Sequence, residues 1–133
     1  MFSMSFMPRF SETDILGHIS NTTYPVWLEE ARSDLFDLVH PARTVHNWPL
    51  IIARQELDFV NQCYLFKEVT VNTWVEKIGT KSFTLGQEIL QGDLTVVRSK
   101  GVLVWFDYAS NSAQPIPDAI REGLTTVMVP QIA

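Results

Sequence analysis

The sequence predicts an α+β fold in which one long helix packs against a single curved antiparallel sheet of about five strands. Three features carry that expectation. Apolar residues recur at helical spacing from Tyr24 to Val39. Four later segments alternate apolar and polar residues and are joined by short, turn-rich connections. The opening segment alternates as well, with Phe2, Met4, Phe6 and Phe10 all at even positions.

The opening "MFSMSFMPRF" reads as the first strand. It lacks the basic leader of a signal peptide, and Pro8 and Arg9 interrupt it early. The helix comes next, with Asn21, Thr22 and Thr23 as N-cap candidates and Pro25 in the first turn, where its missing N–H costs little. Tyr24, Trp27, Leu28, Ala31, Leu35, Leu38 and Val39 form its apolar stripe. "HPAR" at 40–43 ends it, because Pro41 forces His40 out of the helical region.

Four strands follow. "LIIARQELDFV" (50–60) sets Ile51, Ala53, Leu57 and Phe59 on one side. "EVTVNTWVEKI" (68–78) groups Val69, Val71, Thr73 and Val75, and the turn Gly79-Thr80-Lys81 leads into "SFTLGQEIL" (82–90) as a hairpin. After the Gly92-Asp93 turn, "LTVVRSKGVLVWFDY" (94–108) is long enough to need a bend, expected near Gly101. Beyond prolines 115 and 117, "PDAIREGL" is a short helix. Several strands carry large apolar residues on both faces, which one helix cannot cover. A second subunit is expected to cover the remainder.

Composition narrows the function classes. The 133 residues suit one domain spanning 1–133. A net charge of −5 argues against general nucleic-acid binding, since little would neutralise a phosphate backbone. Cys63 stands alone, so no intrachain disulfide and no four-cysteine zinc site can form, and a reduced cytoplasmic setting fits. No apolar run approaches the roughly 18 residues of a membrane span. The three histidines show no metal-ligand spacing, so neither metal nor organic cofactor is expected.

"SETDILGHISNTTYPVWLEEAR" (11–32) holds the sharpest chemistry. Asp14 precedes a Gly17 turn that returns the chain to the helix start, where unpaired N–H groups and the positive dipole end gather. An acid beside such donors is a minimal hydrolytic site for an activated acyl group, and losing a comparable donor costs roughly 2.7–4 kcal/mol. The plain alternative is an ordinary loop acid capping a turn. His18 reads as structural or substrate-lining, because neither Ser11 nor Ser20 sits in a nucleophile elbow. Glu29 and Arg32 are either an exposed helical charge pair or support for the loop. Lys77, Lys81 and Ser82 form a solvated hairpin turn or supply cations to a phosphate, and Arg54, Arg98 and Lys100 are unranked further cations. Trp27, Phe36, Trp48, Phe59 and Phe83 can line an acyl pocket or simply pack the core.

The spaced residues Asp14, Gly17-His18, Asn21, Tyr24, Glu29 and Ala31-Arg32 resemble the acyl-CoA thioesterases of the 4-hydroxybenzoyl-CoA thioesterase type, which share the hotdog fold. The likeness continues more loosely through the later strands. It implies a helix wrapped by the sheet, sites at dimer interfaces, and dimers that commonly pair into tetramers. It maps the catalytic aspartate onto Asp14, as general base or nucleophile, and the polarising backbone N–H onto Asn21. Ser20 departs from the family's usual Asn, a place where acyl preference can shift. The expected function is therefore a cytoplasmic acyl-CoA thioester hydrolase acting as a homodimer or homotetramer, with Gly17, His18, Tyr24, Lys81 and Ser82 near the substrate. Two rivals keep the fold: a non-catalytic binding module for acyl-CoA or acyl carrier protein, and an enoyl-thioester hydratase. The hydratase needs an Asp/His pair after the helix, whereas Asp14 precedes it.

Overall fold

Pro8 sets the length of the first strand. The computed structural model of the protein describes residues 1–42 and 44–128, so Arg43 of the "HPAR" stretch lies outside it. Strand β1 (Phe2–Phe6) pairs with β3 (Val69–Ile78) and stops at Phe6, because a proline two residues on has no N–H for the ladder. Phe10, expected on this strand, instead lies in a 3-10 turn and is 80% exposed.

The remaining strands are β2 (Leu50–Phe59), β4 (Ser82–Gln91) and β5 (Leu94–Asp107), in the sheet order β1-β3-β4-β5-β2. A two-residue β6 (Ser112–Ala113) adds to the end of β5. Hairpins occur at both expected turns, and Gly92 has the positive φ of 62° that its turn requires. All pairings are antiparallel, with β2 at an open edge.

Two register details correct the sequence reading. Ile52 pairs with Leu103 and Arg54 with Val102, so Ala53 is bulged out of the β2–β5 ladder. The extra residue reverses the alternation. Leu50, Ile52, Gln55, Leu57 and Phe59 share the helix-facing side, and Ile51 points the other way. Pairing of β5 also runs unbroken through Gly101. Its irregularity comes at Val96, whose carbonyl accepts the N–H groups of both Val60 and Asn61.

The long helix is two helices, α1 (Thr23–Ala31) and α2 (Ser33–Val39), broken at Arg32. The Arg32 N–H turns to the Glu29 carbonyl (3.1 Å), which leaves the Leu28 carbonyl without its usual partner. Gln87, on the inner face of β4, fills that place: its Nε2 donates to Leu28 O (2.9 Å) and to Thr73 Oγ1 (3.0 Å), and its Oε1 accepts from Arg32 Nε (3.3 Å). A side chain inserted into the helical ladder is a recognised cause of a kink. Helix α2 ends at Val39 as expected, and α3 (Asp118–Thr125) packs against it.

The core divides at the kink. Trp27, Leu28, Ala31, Val69, Val71 and Ile89 pack under α1, while Leu35, Val39, Val75, Phe83, Leu85 and Leu124 pack under α2 and α3. Between them a polar row crosses the sheet, with Thr73 opposite Gln87 and Gln87 opposite Ser99. Arg32, which the sequence allows as one of an exposed charge pair, lies over this row and is only 5% exposed.

Gln87→Leu leaves several buried groups unpaired at about 1–3 kcal/mol each, so chemical denaturation should give a loss of at least about 2 kcal/mol. An unchanged midpoint would show that the kink does not depend on Gln87. Cys63 is fully buried and its thiol is pushed up to about 11, chiefly by burial. Thiol reagents at neutral pH should label Cys63 only after guanidinium unfolding, as followed by intact mass.

Candidate active site

Glu12 ties the loop before α1 to the helix. Its backbone carbonyl accepts from Ser20 N (2.8 Å) and Thr23 Oγ1 (3.3 Å), and its carboxylate accepts from Trp27 Nε1 (2.8 Å) and Arg9 N (2.6 Å). Inside that frame the chain doubles back. Thr13 bridges Ile19, Asp14 N donates to His18 O (2.7 Å), and Gly17 takes a φ of 79° that side-chain-bearing residues rarely adopt. The expected Gly17 turn is present.

This turn holds Asp14 by one oxygen. Oδ1 accepts from the N–H groups of Leu16 (2.8 Å) and His18 (3.1 Å). Among the described residues no hydrogen bond takes Oδ2. The side chain is exposed, yet it lines a cleft of about 560 Å³ together with Ile19, Asn21, Tyr24, Phe59, Asn61 and Gln62.

The start of α1 faces the same cleft and is uncapped. Thr22 holds the N-cap position, but its hydroxyl pairs with that of Ser20 (2.9 Å) and makes no bond to a helix N–H. Among the described residues, neither the N–H nor the side chain of Asn21 is hydrogen-bonded. A missing cap costs about 1 kcal/mol, and α2 and α3 are likewise without a side-chain cap.

Tyr24 forms the inner wall. It is 4% exposed, packed against Trp27 and Phe59, and its phenol is pushed up to about 12 by burial and then by neighbouring Cys63 and Asp14. It is therefore a neutral O–H donor at any ordinary pH, and among the described residues that hydroxyl has no partner.

The sequence candidates separate into three groups. Asp14, Asn21 and Tyr24 meet at the cleft. Gly17 and His18 build the turn behind it, and the His18 ring rests edge-on against Tyr64 at 5.3 Å. Lys81 and Ser82 lie elsewhere: Ser82 begins the ten-residue β4, whose other end, Gln91, binds Tyr64 beside the loop. That separation is about 30 Å within one chain. His40 is at the helix end, as expected. Sequence reasoning misses Asn61 and Gln62. Their only signal is a polar pair closing an apolar strand, and their place depends on which strand end reaches the helix start. Among the described residues no group of His, Cys, Asp or Glu is arranged to hold a metal, and no helix is long and apolar enough to cross a membrane.

Comparison with known proteins bears on the fold and the family. A predicted thioesterase from Bacillus stearothermophilus superposes with a TM-score of 0.95 over 98% of each chain, at 40% identity. A thioesterase from Thermus thermophilus, solved with coenzyme A and zinc, superposes with a TM-score of 0.87 over 98% of this chain and 96% of its own, at 25% identity. YsmA of Bacillus subtilis strain 168, itself uncharacterised, is 30% identical over 77 residues, which are 58% of this chain and 52% of that relative, about half its length. The family model of the thioesterase-like superfamily matches residues 8–124, and with the hotdog arrangement of helix and sheet now described, the chain belongs to that superfamily.

Proposed function

We propose that the protein hydrolyses acyl-CoA thioesters at the Asp14 cleft. One observation carries the reading: a carboxylate with one oxygen held and the other free shares a cleft with an uncapped helix start. The bound coenzyme A of the Thermus relative supports CoA as the carrier.

The thioester carbonyl oxygen sits at the Asn21 N–H, where the helix end opposes developing negative charge. Asp14 Oδ2 then removes a proton from water that attacks the carbonyl carbon, or attacks directly to form a mixed anhydride that water opens. Either route expels the CoA thiolate and leaves a free acid. A thioester carbonyl is poorly stabilised by resonance, so one carboxylate and a polarising amide suffice. His18 N and Leu16 N hold Asp14 in position, and the Tyr24 hydroxyl offers a further donor to the bound acyl group.

A second copy completes the site. The open β2 edge carries exposed Ile51, Ile52 and Phe59, and Phe59 and Val60 also wall the cleft. Two β2 edges paired antiparallel bring the partner's far sheet end, with its Lys81 and Ser82, towards the Asp14 end of the first copy. Those residues then meet the CoA phosphates. A cytoplasmic setting fits the single reduced thiol of Cys63.

Asp14 bound through Oδ1 in a turn also favours the rival in which the acid is only structural and the protein merely binds its ligand. Asp14→Asn separates the two, because it keeps the Oδ1 acceptor and removes the charge. Thiol-release assays across short, long and aromatic acyl-CoAs should show turnover falling by at least about a hundredfold, with the melting temperature retained. Near-normal turnover in this variant would remove Asp14 from the chemistry. Sedimentation at micromolar concentration should give a dimer or a dimer of dimers. A fully active monomer would sink the shared site.

A further inference from the structure

The edge strand β2 has a cleft at each end. Phe59 and Val60 wall the Asp14 cleft, and Leu50 and Ile52 wall a second one of about 280 Å³. Within one chain these clefts are separate, about 25–30 Å apart at strand rise. A two-fold axis through the middle of β2 changes that. Antiparallel pairing sets the first end of one strand beside the last end of its copy, so each Asp14 cleft meets the second cleft of the other copy. Inner faces must also match across the pair. Phe59 therefore comes opposite the partner's Leu50 when all ten residues pair, and a slip of two residues leaves it against the same cleft.

Phe36 and Trp48 give the second cleft two aromatic walls, and Leu50, Ile52 and Leu103 give it aliphatic ones. Glu29 and Arg32 also line it, the first exposed and the second all but buried. Of the aromatic residues that spacing leaves open as pocket or core, Trp27 and Phe83 are core, at 4% and 1% exposed. Phe36, Trp48 and Phe59 keep open surface. The Trp48 ring stands near-perpendicular to Phe36 at 4.9 Å and to His40 at 5.5 Å, and it also lines a further cleft with Trp105 and Tyr108. Held by two rings and open to two clefts, the indole is a fixed surface for a third ring.

We propose that the partner's Trp48 is the specificity residue for the acyl group, and that the preferred substrates carry an aromatic ring on the thioester carbonyl. This rests on the acyl-CoA reading above and on the second copy that completes the site. With the carbonyl at the Asn21 N–H, the ring lies along Phe59 of its own subunit and packs against the partner's Trp48. Ring pairs of this kind add about two- to tenfold in affinity beyond the area they bury.

Benzoyl-CoA and heptanoyl-CoA, equal in acyl carbon number, test the class. The protein should favour benzoyl-CoA by at least about fivefold in kcat/KM. Trp48→Ala should lower kcat/KM for benzoyl-CoA at least about fivefold and for heptanoyl-CoA much less, and Trp48→Phe should keep most of the preference. Equal kcat/KM for the two thioesters, or a ratio unchanged in Trp48→Ala, overturns the proposal.

Mixed dimers test the crossing between subunits. A dimer of one Asp14→Asn chain and one Trp48→Ala chain holds one intact site only if Trp48 acts from the partner. Co-expressed under two tags, it should hydrolyse benzoyl-CoA at about half the wild-type kcat/KM, well above either homodimer. Such recovery also shows that the Trp48→Ala chain folds. A mixed dimer no faster than the Trp48→Ala homodimer overturns the proposal. The phenacyl thioether of CoA binds without being cleaved, and calorimetry should show Trp48→Ala binding it at least about fivefold more weakly, with CoA itself unaffected. That result supports the pocket even if no thioester is hydrolysed, and then only the hydrolase reading falls. Equal binding by both proteins removes the pocket and leaves that reading intact.

Discussion

A single buried amide sets the relation of helix to sheet. Gln87 gives one N–H to the carbonyl that the helix leaves unpaired at Leu28, gives the other to Thr73, and receives Arg32 Nε. A buried carbonyl without a partner costs about 1–3 kcal/mol, so break and amide stabilise each other and neither makes sense alone. The consequence is a core in two halves. Each short helix packs over its own apolar cluster, and the polar row between them fixes where along the sheet the break must fall. Register and helix position are thereby locked together, because sliding the helix by one residue would bury the Leu28 carbonyl without a donor.

With α1 so anchored, its start falls beside the Glu12 frame. Glu12 commits its carbonyl to Ser20 and Thr23 and its carboxylate to Trp27, so the loop that carries Asp14 is pinned at both ends while its tip, Ile15 and Leu16, stays exposed. Two local rules are broken here. The helix lacks a side-chain cap, and the acid uses only half of its hydrogen-bonding capacity. Departures of this kind are where a sequence yields stability for function. A third departure lies beneath the helix break, where Arg32 Nη2 is buried without a hydrogen bond among the described residues.

What can be read in advance follows from the range of each interaction. The stripe from Tyr24 to Val39, the two hairpin turns and the grouping of Asp14, Gly17 and Asn21 depend on neighbours a few residues away, so spacing carries them. The break at Arg32 is invisible to spacing, because the residue that causes it is 59 positions from the carbonyl it binds. The inner face of β2 is misread for a similar reason. Alternation assumes one residue per step, and the Ala53 bulge inserts an extra one, which transfers Gln55 to the inside and Ile51 to the outside. Asn61 and Gln62 enter the cleft only because β2 is the edge strand next to β5, a fact of sheet order that composition does not encode. Lys81 and Ser82 lie so far along β4 that any part in the site requires a second copy.

The open edge connects these observations. An edge strand of ten residues with exposed isoleucines invites pairing with another chain, and proteins that keep such an edge uncovered usually blunt it with charge or proline. Here the outer face of β2 carries Arg54 paired with Glu56, while the inner face keeps Gln55 and Phe59 towards the helix. A strand arranged this way resists random stacking through its charged face and leaves its inner margin to a specific occupant. The cleft at one end of that margin holds Asp14, whose Oδ2 takes no hydrogen bond among the described residues, so the edge strand that invites a partner also walls the candidate site.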